Sequence, residues 1–309
     1  MDGRDQVDSR NGESSVTFFT LACSDLEDWH ARFLIRSLRA FGGSYQSCPV
    51  LIFTTRKELP ATRAHDLAGV KYIPLEVDHA LQGVYFTRKV SACAEAERMC
   101  SPGVRSLVWM GSRSLVLSTP HHFDLQTDAD VALRPVHHRN VGALFAQPLD
   151  PFWRGIYDCV GLQQPPYRVE TFVDALPIAP YFNTHLFAFN PSLSLMQAWL
   201  EHFQKLALDR DYQAGPCADE QHQIFLHQAV LSTLIASHLE EDRLRFLPPT
   251  YSYPLHMHAE VPEADRPESL NDLICPVYEG VFNYPLSLGG LEAQEPLHSW
   301  LKSQGAAPV

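Results

Sequence analysis

The residues of this 309-residue chain that could do chemistry are carboxylates, imidazoles and cations in a few recurring spacings. Asp128 and Asp130 stand one residue apart, a spacing from which two carboxylates can grip a hard cation. They sit at the start of an alternating run, residues 130–136, not at the end of a strand. A turn or capping role is therefore favoured for them, with a divalent metal such as manganese as the fallback. Among fifteen histidines, His222 and His227 are five apart and do not share a helix face. His121-His122 and His137-His138 are adjacent pairs whose side chains diverge. His256 and His258 could share one face of a strand, which makes them candidate phosphate or substrate contacts.

The cations are more suggestive. Arg88 and Lys89 open an alanine-rich helical stretch that follows a strand. A lysine in such a helix commonly faces solvent, but this placement favours function. Arg113 follows an apolar run, and a guanidinium can contact phosphate oxygens through two parallel hydrogen bonds. Asn183 lies inside an apolar segment and needs hydrogen-bond partners if buried. Asp219, Glu220 and Gln221 open a helix, where acids cap and suit the dipole.

Composition narrows the classes. The net charge of -12 leaves no phosphate-neutralising excess and argues against a general nucleic-acid binder. The seven cysteines are scattered without a Cys-x-x-Cys pair, which fits reduced thiols and a cytoplasmic setting. No apolar run reaches the roughly 18 residues of a membrane span. Residues 1–15 are polar and are expected to be a disordered lead-in. No Gly-x-Gly-x-x-Gly, phosphate-binding Walker loop, Gly-x-Ser-x-Gly or His-Glu-x-x-His occurs, so the usual signals of dinucleotide enzymes, NTPases, serine hydrolases and zincins are missing.

The elements that must position these groups alternate. Residues 16–22 (VTFFTLA), 49–54 (PVLIFT), 70–75 (VKYIPL) and 106–109 (SLVW) read as strands buried on both faces. Between them, helices are expected from an N-cap at Asp25 to Gly42-Gly43, and over residues 87–100. Further strands are expected at 130–136, 181–189 and 244–247, and helices at 192–208 and 219–238. The tail beyond Pro254 reads as irregular and as wrapping over the sheet. This order predicts an α/β fold with a mostly parallel, doubly wound, Rossmann-like sheet and helices on both faces. Ligands in such sheets bind beyond the carboxyl ends of the strands.

In that order, four segments resemble the GT-A glycosyltransferases, most nearly the retaining family of glycogenin and lipopolysaccharide galactosyltransferases. They are residues 16–24, Arg88-Lys89, residues 107–117 (LVWMGSRSLVL), which match a strand, an Asp-x-Asp turn and a second short strand, and residues 181–190 (YFNTHLFAFN), which resemble a Phe-Asn-x-Gly segment. Asp219-Glu220-Gln221 resembles the family's later acidic helix start. The resemblance implies a single GT-A-like domain over 16–309, with a nucleotide-binding half to about residue 125 and an acceptor-side half after it. It implies a nucleotide diphosphate sugar as donor and an unknown acceptor.

The resemblance also assigns roles. Thr20, Leu21, Ala22 and Cys23 would meet the base, with Trp109, Gly111, Ser112, Arg88 and Lys89 near the donor. Asn183 and Asp219 would orient sugar and acceptor, and Glu220, Gln221, His256 and His258 would lie on the acceptor side. The metal-binding acids, however, are replaced by Gly111 and Arg113. No metal is then expected; Arg113, with Arg88 or Lys89, would supply the missing charge, and Gly111 would let the backbone approach a ligand closely. The equal alternative for Arg113 is a solvated residue left after the acids were lost, and the alternative function is a non-catalytic fold that binds a partner or a nucleotide sugar.

Overall fold

The structure, a computed structural model, describes residues 14–58, 68–280, 282 and 288–305. The lead-in expected at the amino terminus lies outside the described residues up to residue 13. The main strands are β1 (Val16–Leu21), β2 (Val50–Thr54), β3 (Val70–Pro74), β4 (Ser106–Met110) and β5 (Val131–Leu133). A two-stranded hairpin, β6 (Val169–Glu170) with β7 (Pro177–Ile178), precedes β8 (Leu186–Phe189) and β9 (Leu244–Phe246). Among the described residues, seven strands form one sheet in the order β3-β2-β1-β4-β8-β5-β9. The first four are parallel, β8 runs antiparallel to both its neighbours, and β5 and β9 pair in parallel. The fold is α/β, mostly parallel and Rossmann-like.

The continuous apolar runs are explained by burial on both faces. Val16 and Phe18 point into a core with Leu34, Ile35 and Leu38 of helix α1 (Asp25–Phe41). Phe19 points the other way, with Phe53, Trp109 and Phe189 in edge-on and tilted ring contacts. That second core is closed by α2 (Thr87–Arg98), α3 (Pro151–Val160), α4 (Leu195–Leu208) and α6 (Glu220–His238), with the short α5 (Arg210–Ala214) between the last two. None of the helices among the described residues is long and apolar enough to cross a membrane.

Several expectations need correction. The N-cap of α1 is Ser24, whose side chain accepts from the Glu27 N–H; Asp25 is the first helical residue. Residues 181–184 lie outside β8: Phe182 keeps one antiparallel bridge to Pro135, through Asn183 N–H to the Arg134 carbonyl and Val136 N–H to the Tyr181 carbonyl, while its own N–H turns to Ser232 Oγ. The strand at 130–136 shortens to three residues, because Pro135 lacks the N–H that would extend it. The second short strand after the turn joins no central strand; Leu115 and Leu117 donate instead to the carbonyls of Pro276 and Ile274. The tail is not irregular throughout. β10 (Tyr251–Pro254) and β11 (Cys275–Val277) pair in parallel, and α7 (Leu297–Ser303) follows. It packs largely on the outer side of α1, where the Phe33 ring stacks on Trp300 at 5.5 Å.

Candidate functional site

The carboxyl ends of β1 to β4 open into a cleft of about 880 Å³. Leu21 follows from β1, Thr55 and Lys57 from β2, Leu75 and Val77 from β3, and Gly111 and Ser112 from β4. The segment leading into α2 supplies another wall, including Asp78, His79, Tyr85 and Phe86, and the first turn of α2 adds Arg88 and Lys89. A cleft at this edge is where a doubly wound sheet binds ligands. Leu21, Arg88, Lys89, Trp109, Gly111 and Ser112 are thus brought together as the sequence predicts. Thr20 and Ala22 are buried instead, since alternate residues of a strand point to opposite faces. The Cys23 N–H donates to Glu27 Oε2 at 2.6 Å, fixing that carboxylate at the cleft wall.

Lys89 is the most unusual group here. It is 9% exposed. Its Nζ donates to the Thr184 carbonyl at 3.3 Å, to Thr184 Oγ1 at 3.0 Å and to His227 Nε2 at 3.2 Å. His227 Nδ1 lies 2.9 Å from the Ile224 carbonyl, which can only accept, so Nδ1 carries the proton and Nε2 is free to accept. Burial holds the His227 imidazole well below its ordinary pKa, with Lys89 adding to the effect, so it stays neutral. The three partners satisfy the ammonium's donors, but none carries a negative charge. Burial accordingly pushes Lys89 from 10.5 down to about 8. The Trp109 indole N–H donates to the same Thr184 carbonyl at 3.1 Å, tying this network to β4.

The turn that would hold a metal in the resembling family, Gly111-Ser112-Arg113, offers no carboxylate. Gly111 donates its N–H to the His185 carbonyl, and a Cβ there would stand 3.3 Å from that oxygen. The close approach that Gly111 permits is therefore to His185. Arg113 is exposed; its carbonyl accepts from the Tyr278 N–H, and its charge bears on His30 and Tyr278. Among the described residues no hydrogen bond or ion pair holds its guanidinium. Asp128 pairs with Arg245 through both oxygens at 2.8 Å, and Asp130 with Arg243 at 2.9 Å and Asn190 at 3.0 Å. Both acids stand before β5 and are engaged with arginines, so they do not fit a metal either.

The remaining candidates are spread out. Asn183 is buried, its Oδ1 accepting from the His185 N–H at 2.7 Å and its Nδ2 3.5 Å from His137 Nε2. The oxygen of its amide is satisfied inside the protein, but His137 Nε2 donates to the Ser252 carbonyl at 2.8 Å and so cannot accept from Nδ2. Asp219 caps α6 by accepting from the His222 N–H and also binds His222 Nδ1. Glu220 accepts from the Tyr85 hydroxyl at 2.7 Å and so touches the cleft's rim. Gln221 instead lines a second cavity of about 340 Å³ with His222 and Arg139. His256 and His258 do not share a strand face: His256 lies within a 3₁₀ turn, Leu255–Met257, and His258 caps its end. His256 faces Glu279 at 3.8 Å, whereas His258 Nδ1 meets the Tyr253 hydroxyl at 2.7 Å.

Sequence reasoning missed His227, Thr184, Tyr85 and Phe86. The buried polar partners of Lys89 lie 95 and 138 residues away along the chain, and only the sheet order brings them together. No curated protein matches the chain. Residues 22–238 match the Rhodobacterales glycosyltransferase domain, more than half of the chain, and the chain belongs to that family.

Proposed function

We propose that the chain transfers a hexosyl unit from a nucleotide diphosphate sugar to an acceptor hydroxyl, with no metal held by an Asp-x-Asp turn. In such a transfer the acceptor oxygen bonds to the anomeric carbon while the bond from that carbon to the diphosphate breaks. The bonding pair leaves with the nucleoside diphosphate, and the acceptor's proton passes to a leaving-group oxygen or to solvent. Charge therefore grows on the diphosphate, and the site needs a fixed positive counterpart.

The observation that carries this reading is Lys89: a buried ammonium with only neutral partners, lining a cleft at the strands' carboxyl ends. A bound diphosphate supplies the missing counter-charge. Arg88 and Lys57, on the same lining, add positive potential. Arg113 takes a lesser part than the sequence suggests, its charge entering from the α1 side through His30 and Tyr278. Leu21 offers an apolar contact for the base. Glycosyl transfer is the activity that membership of the family supports; donor, hexose and metal independence are the finer parts of the proposal.

Calorimetric titration with UDP- and GDP-sugars, in EDTA and in manganese, tests it. The expected outcome is binding of at least one donor, and turnover, both unchanged by EDTA. Failure of every nucleotide to bind would refute the donor site, and a strict manganese requirement would refute the metal-free part. A second reading, favoured by the loss of both acids at Gly111 and Arg113, is a binding protein without turnover. It predicts donor binding with no sugar release to any acceptor or to water.

A further inference from the structure

The rim of the cleft carries two neighbouring aromatic side chains that the handling of the diphosphate leaves unexplained. Tyr85 and Phe86 are 40% and 42% exposed, and both line the cleft. Phe86 has φ 60° and ψ 9°, a left-handed backbone that is unfavourable for a bulky residue. The surroundings hold it there. Its carbonyl accepts from the Val90 N–H as α2 begins, and its ring stacks on His227 with centroids 4.1 Å apart and planes 22° apart.

The ring also stands 4.6 Å from Lys89 Nζ. Because that nitrogen is 3.2 Å from His227 Nε2, Lys89 and His227 lie on the same side of the ring. The opposite face is left to the cleft. Beside it, the Tyr85 hydroxyl donates to Glu220 Oε1, and this bond raises the pKa of Tyr85 and keeps it protonated. One carboxylate oxygen is thereby committed and the other remains to accept.

A flat apolar face next to a free carboxylate oxygen complements a pyranose, whose ring C–H groups lie over an aromatic while its hydroxyls donate outward. A lipid chain would need a continuous apolar channel, but Lys57, Asp78, His79, Gln82 and Arg88 interrupt this lining. The nucleobase has its own apolar contact at Leu21 on the reading above. A ring beside Lys89 instead stands next to the reacting sugar.

We propose that Phe86, with Tyr85 and Glu220, forms the acceptor subsite, and that the acceptor is a saccharide docked through one pyranose on the open face of Phe86. This rests on the reading of the cleft as a donor site. The test is saturation-transfer NMR with lactose and maltose at millimolar concentration, with and without UDP or GDP, on the wild type, Phe86→Leu and Glu220→Gln. Leucine keeps the apolar contact and lacks the flat face, and thermal unfolding checks that each variant folds.

The expected result is contact with at least one disaccharide, reduced fivefold or more in both variants, while the nucleotide Kd of Glu220→Gln stays within twofold. Absence of contact with both disaccharides overturns the proposal. So does a nucleotide Kd that weakens in step with disaccharide contact in Phe86→Leu, which would assign the ring to the base. If no nucleotide binds the wild type, the donor reading fails by itself, and the disaccharide signals still decide the role of Phe86.

Discussion

Replacing Lys89 by methionine should make the free protein more stable and its nucleotide binding worse. The pKa of Lys89 falls from 10.5 to about 8 on folding because burial penalises the charged form. At 1.36 kcal/mol per unit, that is a cost of roughly 3 kcal/mol to the folded state below pH 8. The unfolded chain binds more protons between about pH 8 and 10.5, so wild-type stability rises with pH across that window. Methionine has a similar length and no charge, so it removes the cost. It also leaves Thr184 and His227 without their donor, an offset of about 1–2 kcal/mol. The net gain of roughly 1–2 kcal/mol should raise Tm at pH 7 by about 2–5 °C.

The gap between variant and wild type should then narrow by pH 10, as the wild type sheds the same proton. Loss of the positive charge beside the diphosphate, which acts through space because its three N–H donors are already engaged, should weaken UDP or GDP binding by about tenfold or more. Thermal unfolding at pH 7 and 10, and calorimetry at pH 7, measure these quantities. A lower Tm for Lys89→Met at pH 7, a gap independent of pH, or equal nucleotide affinity would refute the account of Lys89 as a buried charge awaiting its counter-ion.

If only protonated Lys89 binds the diphosphate, wild-type Kd should rise about tenfold from pH 7 to pH 9, relative to the same titration of Lys89→Met. Parallel curves for the two proteins would contradict this. The double substitution Asp128→Asn with Asp130→Asn should lower stability, through lost pairing with Arg245 and Arg243, and leave turnover and its response to EDTA unchanged. Loss of transfer in that variant would return the acid pair to the site. Arg134 is 3% exposed, donates to the carbonyls of Pro249 and Tyr251, and lies 4.0 Å over the Phe172 ring. Arg134→Met should change stability by less than about 2 kcal/mol in urea unfolding, because the two buried carbonyls lose their donor while the burial cost that lowers the Arg134 pKa to about 10 is relieved.

The sheet was legible because its strands are buried on both faces, and that burial leaves a continuous apolar run in the sequence. Antiparallel β8 lies between the two cores just as the parallel strands do; it was legible from alternation, which does not reveal its direction. Helix α3 escaped although Asp150, Pro151 and Gly161 mark its ends. Gly155 weakens its helical pattern, yet a Cβ there would come 2.4 Å from the Tyr212 ring, so packing decides that residue. At the site, Arg88 and Lys89 were legible by type and by place at a helix start. The burial of Lys89 was not, since an alanine-rich helix looks solvent-facing until α4 and α6 are packed against it. The expectation at Arg113 places a cation at the same turn as the missing acids, whereas the cation buried on the cleft lining is Lys89, on a neighbouring element.

That displacement explains why costs to stability gather on one short segment. Within four residues the chain accepts an exposed tyrosine, a phenylalanine in a left-handed backbone and a buried ammonium without a counter-charge. Each works against the folded state, and folds tend to accept such departures at functional sites. They also depend on one another: His227 supports the Phe86 ring from below and accepts from Lys89, while the ring covers the ammonium on the same side. Removing the ring would let water reach Lys89 and raise its pKa towards the ordinary value. An acceptor placed over Phe86 would exclude that water, keeping the charge beneath it unscreened at the stage when the diphosphate needs it. Sugar recognition and leaving-group stabilisation would then be coupled through a single aromatic side chain.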